Sequence, residues 1–543
     1  RRGQLIFIHD YGAMKMTTDD GPRTTGGDPL STVVGRLLSV VALIFATLYL
    51  LTALPRIFYP YDLDFIEDSM LMESIRFANG QPVFVPLNAD FVPHVYMPLY
   101  SWLRGLLFRI FGVGYAPLRL LSFGATISTA AIIYYVGAGL APAQLNDRSS
   151  GGHNSGDHKG RPYVGVICAG LFLGGYRLTG FWYELARVDS LYVALALAGL
   201  TLGFYAGESN RKLILSAVAL ALAFFTKQTG LLFGAGMAAT LLITVGRRAG
   251  WFVIPFAALT LIPLFTLNSL TGGWFIYHTF TIASGDPLEI GRIVNYIGFE
   301  LFGAMAGVSL MALGAGALGV QRAGWRIVRE EPWLVGMALA AVVSGVGRAS
   351  VGGNLNNLMP VYALLCIAPA LFVRELAHRE DAKKKEREKE KDFAFFALWR
   401  LRKFSQSIIA AVVLVQFALG AYNPLRYIPT AEMRQSGDRL IERIKSVDGE
   451  VLVLMHPYYA WLGGKVPSAQ IATIWYIYQW QGVPLPDDFV ARIENQHYAA
   501  IISDESLFET EPAIRKLIAA HYRAEPLPAN ESPPTTTGLP VRP

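Results

Sequence analysis

Charge is what this sequence has least of. Asp, Glu, Lys and Arg make up 16% of its residues, against roughly a quarter in a soluble domain, which excludes a single soluble globule. Cysteine is scarce as well. Cys168 and Cys366 both fall inside apolar runs without a CxxC or histidine-rich neighbourhood, so neither a disulfide framework nor a zinc site is supported, and both are expected to pack. The first 30 residues are polar and hold no short apolar region ending in a cleavage site, so no signal peptide is expected, with Met14 or Met16 as the expected start. No internal repeat is evident. The net charge of +6 raises the question of a nucleic-acid partner. The basic residues, however, sit in short loops beside apolar runs, as membrane topology requires, and no nucleic acid is expected.

What the sequence has in abundance is apolar side chains, 53% of the total, gathered into runs long enough to cross a bilayer. Eleven such runs are expected to span it: 32–54, 116–138, 163–181, 188–206, 212–226, 229–246, 251–269, 296–319, 332–347, 358–374 and 405–422. The fold class is therefore a polytopic α-helical membrane protein. With residues 1–30 as a cytoplasmic tail, the inner loops carry most of the Lys and Arg, which fits the positive-inside rule for a plasma (inner) membrane protein. Within the bundle, 31–422, the outer loop 55–115 is long and patterned. Residues 68–79 read as a short amphipathic helix, and Tyr100 to Phe111 as another suited to the membrane interface. Segment 423–525 reads as a small extracytoplasmic α/β domain, with a helix at 430–446, strands at 451–455 and 499–503, and a helix near 511–520. The tail 526–543 is poor in apolar side chains and is expected to be disordered.

Two polar stretches carry weak signals. Lys383 to Lys391, KKKEREKEK, reads as a solvated inner loop with i,i+4 pairs or as a lipid-binding patch. The stretch Asn146 to Arg161 reads as a flexible loop whose His153 and His158 lack metal-ligand spacing.

Chemistry concentrates on the outer side. Directly after the first run stand Asp62, Asp64, Glu67 and Asp68. Four acids this close repel one another, which raises at least one pKa and suits a general base. Asp62 and Asp64 also form a DxD pair able to share a divalent cation, and the bland alternative is a hydrated acidic helix end. Arg187 and Asp189 precede the fourth run, and Lys227 interrupts two apolar runs. A cation there is costly unless it snorkels or meets an anion. In the C-terminal segment, Tyr458, Tyr459, Trp461, Trp475, Tyr476, Tyr478 and Trp480 form a dense aromatic set, read as packing rather than as a site.

Taken in order, these segments resemble the GT-C glycosyltransferases, polytopic enzymes that use polyprenyl-phosphate sugars. The likeness is greatest to the branch of protein mannosyltransferases and lipid A aminoarabinose transferases. Tyr61 to Asp68 matches the acidic motif after the first span. Tyr96-Met97-Pro98-Leu99-Tyr100 resembles the family's Tyr-Pro-Pro-Leu-Tyr, with Met97 for the first Pro. Ala186-Arg187-Val188-Asp189 resembles Ala-Arg-Pro-Asp, with Val188 for Pro. Thr226-Lys227-Gln228 and Gly353-Asn354 through Pro360 resemble later outer-loop segments. The likeness covers about residues 32–422, and the motifs gain specificity from their order and shared side.

The resemblance implies transfer of a sugar from a polyprenyl-phosphate donor to an acceptor hydroxyl on the outer side of the membrane, by one inverting displacement. Asp64 is the first choice for the base, with Asp62 and Glu67 close by. Lys227 and Arg187 would take the donor phosphate as charge grows on it. Asp189, His94, Tyr96, Tyr100, Asn354 and Asn357 are candidate substrate-binding residues; interfacial packing for the aromatic ones, and capping of an outer turn for the asparagines, are the alternatives. A divalent cation at Asp62 and Asp64 is possible, as some relatives use one. Expected partners are the lipid-linked donor, membrane lipid and a glycan, lipid or protein acceptor. The competing readings are a lipid-linked oligosaccharide ligase or polymerase, and a polytopic lipid or sugar transporter.

Overall fold

The computed structural model describes residues 29–141, 161–387, 394–503 and 512–531. The N-terminal tail, the stretch at 146–160, residues 388–391 of the charged run and the end of the C-terminal tail lie outside the described residues.

Helices lie over all eleven expected runs. The first nine helices are α1 (Pro29–Ile57), α2 (Phe65–Ala78), α3 (Leu99–Phe111), α4 (Tyr115–Leu140), α5 (Arg161–Gly174), α6 (Asp189–Phe204), α7 (Asn210–Thr226), α8 (Gly230–Val245) and α9 (Gly250–Leu270). Among the described residues, six helical stretches are long and apolar enough to cross a membrane. They are Val33–Ile57, Tyr115–Leu140, Gly230–Leu270, Pro332–Ala349, Leu355–Arg379 and Ser407–Arg426. A seventh appears if Ile290–Ala304 and Ala306–Glu330, bent by 94° at their junction, form one span. The difference from eleven has a physical origin: α6 and α7 are only 16 and 17 residues long, and Gly230–Leu270 contains two of the runs.

The surface of the bundle is apolar. Leu43, Ile44 and Leu51 on α1 and Ile254, Ile262 and Phe265 on α9 are exposed, while polar and charged side chains such as Arg56, Arg119 and Glu184 are buried. That inversion is the one a lipid solvent favours. Small residues let helices approach closely. A side chain added at Gly170 of α5 would come within 2.4 Å of Ala42 Cβ on α1.

The long loop after α1 contains both expected helices. Asp64 N-caps α2, accepting from the Ile66 amide at 3.1 Å, so the acidic run starts this helix, where Glu67 and Asp68 in the first turn complement its dipole. Beyond the bundle, the helix Ala431–Ser446 leads to β1 (Val451–Val453), which pairs in parallel with β2 (Ala500–Ile502), Val451 opposite Ala500. Pro512–His521 is the expected last helix. The C-terminal residues share a core with the first outer loop: Leu452, Ile471, Phe489 and Ile514 pack with Ala89 and Val92. Two hydrogen bonds of Ala89 seal this junction: its carbonyl accepts from Ala469 N at 2.8 Å and its N–H donates to the Asp488 carboxylate oxygen Oδ2 at 2.8 Å. The outer loop is thereby clamped between the bundle and the C-terminal residues.

Candidate active site at the outer loop

Four segments meet at one point: the start of α2, the loop after α5, the turn between α7 and α8, and residues 350–358. Arg187 Nη1 donates to Asp64 Oδ1 at 2.7 Å, and Arg187 Nε lies 3.6 Å from Asp189 Oδ2. Lys227 Nζ donates to Asp189 Oδ1 at 2.7 Å and to Asn357 Oδ1 at 2.9 Å. Asp64 and Lys227 are therefore the two ends of one continuous ionic network, alternating acid and base. Asp189 Oδ1 also accepts from Asn356 Nδ2 at 3.0 Å.

Local structure explains the placement. Asp189 is the first residue of α6, where a carboxylate meets the positive end of the helix dipole. Lys227 sits just after α7 with extended backbone, its own N–H donating to Ala223 O at 2.9 Å, so its cation meets the negative end of that helix. The turn closes through Gly230, whose N–H donates to Lys227 O at 2.9 Å. Only glycine fits there, because an added Cβ would lie 2.5 Å from the backbone nitrogen of Phe224. Gln228 ties the turn to its surroundings, donating to Val95 O at 2.5 Å and Thr279 O at 2.7 Å.

Burial and charge set the electrostatics. Asp64 is 1% exposed; burial raises its pKa above the ordinary Asp value and Arg187 offsets part of the rise. Burial opposes the charge on Arg187, but Asp64, Tyr96 and Asp189 hold it more firmly protonated than usual. Its guanidinium also lies 4.3 Å from the centre of the Trp182 ring. Asp64 Oδ2, Asp189 Oδ2 and Arg187 Nε are buried without a hydrogen-bond partner.

The other candidates divide between this point and its surroundings. Tyr96 accepts from Arg187 Nη2 at 3.0 Å and stacks on His94 with centroids 4.6 Å apart. His94, pushed down to about 3 by burial and the nearby Arg187, is neutral. Its Nδ1 accepts from Val95 N at 2.9 Å. Glu67 belongs to a different pair: Arg119 donates to it at 2.9 and 2.6 Å, and Ala186 N and Leu63 N at 2.6 and 2.7 Å. Tyr100 is fully buried, its hydroxyl 2.6 Å from Ser122 Oγ and Arg104 over its ring. Asn354 caps the short turn Leu355–Leu358 through Leu355 N at 2.7 Å, the turn-capping alternative expected for it.

Asp62 faces the C-terminal residues instead. Tyr459 Oη donates to Asp62 Oδ1, and His456 Nδ1 lies 3.1 Å from Oδ2. Burial opposes its charge, yet His456 and Tyr459 hold its pKa below the ordinary value. Asp68, with Tyr115 and the amide of Tyr458 as partners, is raised well above the ordinary value by burial and by the charge of Asp62. Asp62 and Asp64 thus have separate partners, and among the described residues no three or more of His, Cys, Asp and Glu group as a metal site. The DxD pair does not fit a divalent cation here.

Sequence reasoning missed Asn356, Arg119, His456 and Tyr459. Arg119, a lone cation at the start of an apolar run, signalled an anionic partner. Asn356 lies inside a segment already singled out. His456 gives no local signal and Tyr459 stands out only in the aromatic set read as packing, since only the tertiary fold carries them to Asp62.

No family profile and no curated protein matches the sequence. Among solved structures, apo ArnT from Cupriavidus metallidurans matches at 14% identity and a TM-score of 0.52, over 89% of this chain and 95% of that one. The same protein bound to undecaprenyl phosphate matches at 13% identity and 0.45, over 88% and 94%. The Archaeoglobus fulgidus oligosaccharyltransferase tethered to an acceptor peptide matches at 11% identity and 0.48, over 91% and 71%. ArnT is a lipid A aminoarabinose transferase of the GT-C superfamily. At these identities the likeness to apo ArnT carries the architecture, and this chain has the GT-C fold.

Proposed function

We propose that this chain is a membrane glycosyltransferase that moves a sugar from a polyprenyl-phosphate donor to an acceptor hydroxyl. The reaction takes place outside the plasma membrane, with all eleven expected runs taken as crossings, the short α6 and α7 included. The GT-C fold supports the class. The observation that carries the reading is the network joining Asp64 to Lys227 through Arg187 and Asp189.

Lys227 and Arg187 bind the donor phosphate. In one displacement, the acceptor oxygen bonds to the anomeric carbon as the bond from that carbon to the phosphate oxygen breaks. The electron pair leaves on the phosphate, whose growing charge the two cations stabilise. The acceptor proton passes to Asp64, whose unpartnered Oδ2 is free to take it. The anomeric configuration inverts. Asp189 holds both cations in register, Asn357 orients Lys227, and Tyr96 with His94 walls the sugar side. Glu67, Tyr100 and Asn354 keep the surrounding loop in shape, and Asp62 anchors it to the C-terminal residues. The acceptor is a glycan, lipid or protein of the cell envelope.

The test uses the purified full chain in lipid nanodiscs, offered a panel of undecaprenyl-phosphate monosaccharides with envelope extract as acceptor. Release of undecaprenyl phosphate with an inverted product is expected, and Asp64→Asn is expected to lower turnover about 10²- to 10⁴-fold. Lys227→Ala should cost about 10²- to 10³-fold. Consumption of no donor rejects the reading, and undiminished transfer by Asp64→Asn rejects the role of that residue.

A further inference from the structure

The C-terminal residues grip the segment carrying Asp64 at three places, spaced three residues apart. Tyr459 and His456 hold the Asp62 carboxylate. Gln470 Nε2 donates to the carbonyl of Phe65 at 2.5 Å and to that of Met455 at 2.7 Å. The amide of Tyr458 donates to Asp68 Oδ2 at 3.3 Å. Asp64 lies inside this grip, one bond along the chain from Phe65.

We infer that Gln470, Tyr459 and His456 are positioning residues for Asp64, so that the reacting centre is completed by the C-terminal residues. The Asp64 carboxylate has few hydrogen bonds of its own: Oδ1 accepts from Arg187 and the Ile66 amide, and Oδ2 has no hydrogen-bond partner among the described residues. Its aim therefore depends on where the backbone at 62–68 is held. Gln470 is 4% exposed, and its removal takes one side-chain donor from two part-buried carbonyls. Gln470 stands directly before the helix Ile471–Gln481, whose Ile471, Ile474 and Ile477 pack in one core, and Tyr459 lies within Pro457–Leu462 and packs in the core of the bundle. The hold is thus a rigid one, which suits a residue whose misplacement by about 1 Å costs on the order of 100-fold in rate.

The inference rests on the reading of Asp64 as the base, and the two can fail separately. In Gln470→Met, which keeps the side-chain length and removes both hydrogen bonds, kcat per bound undecaprenyl phosphate should fall about tenfold or more, with the donor KM changed less than about twofold. Amide hydrogen exchange at Ile66 to Asp68 should rise in the same variant. Tyr459→Phe should show the same split with a smaller fall, and it carries the test if Gln470→Met does not fold. Unchanged kcat together with unchanged exchange overturns the inference. If Asp64→Asn retains transfer, the base assignment falls instead. If the wild type consumes no donor, exchange alone decides whether the C-terminal residues hold this segment.

Discussion

Two ion pairs start three residues apart on the same helix and are built to opposite specifications. Glu67 and Arg119 saturate each other and their surroundings. Both carboxylate oxygens accept twice, and Arg119 Nη1 also reaches the carbonyls of Arg56 and Tyr59 at 2.9 and 2.7 Å. Asp64 and Arg187 are equally buried, yet each keeps an atom without a hydrogen-bond partner, as does Asp189 beyond them. A saturated buried pair has nothing left to offer a ligand. Here Arg187 Nε and Asp189 Oδ2 face each other only at 3.6 Å and Asp64 Oδ2 has no hydrogen-bond partner, a loosely satisfied set that a phosphate and a hydroxyl are suited to engage.

Breaking the saturated pair should have the largest effect on folding. Arg119→Ala leaves Glu67 buried without its cation and should cost roughly 3–5 kcal/mol, seen as a large drop in thermal midpoint in detergent. Asp64→Asn leaves Arg187 its second partner Asp189 and should lower that midpoint less, while reducing transfer about 10²- to 10⁴-fold. Equal loss of stability in both variants would erase the distinction. The next effect is on pH dependence. Because burial raises the Asp64 pKa and the base must be deprotonated, kcat/KM should fall with decreasing pH along a limb above the ordinary Asp value of about 4. Arg187 pulls that pKa down, so Arg187→Gln should shift the limb to higher pH, besides lowering the rate. A limb that stays in place would separate Asp64 from the titrating base.

The sequence carried more of the fold than of the site. Helix positions were legible because apolar runs must be long, and the C-terminal strands because Val451 to Met455 and Ala499 to Ser503 alternate with helical pattern. The number of crossings was less legible, since α6 and α7 are apolar but short. In the site, Asp64, Arg187, Asp189 and Lys227 stood out because charge beside a membrane run is costly. What composition could not separate was which acid faces which cation. Asp62, Asp64 and Glu67 look alike in sequence, and their partners, Tyr459, Arg187 and Arg119, come from segments far apart along the chain. The DxD pair shows the same limit: two acids two residues apart take separate partners, Tyr459 and His456 for Asp62 and Arg187 for Asp64.

The smallest expected effect separates two asparagines that the sequence treats as equivalent. Asn357 touches Lys227 Nζ at 2.9 Å and donates to Gly347 O at 3.2 Å, whereas the Asn354 side chain accepts from the amide that it caps, Leu355 N. Asn354→Ala should therefore cost about 1 kcal/mol of stability, as the loss of a cap does, with the donor KM unchanged. Asn357→Ala removes an acceptor from Lys227, the cation proposed to hold the phosphate, and should raise the donor KM at little cost in stability. Titration of undecaprenyl phosphate into each variant, followed by intrinsic fluorescence, measures the difference directly. Affinity lost in Asn354→Ala and kept in Asn357→Ala would mean that the turn at 355–358, rather than the hold on Lys227, governs how the phosphate is bound.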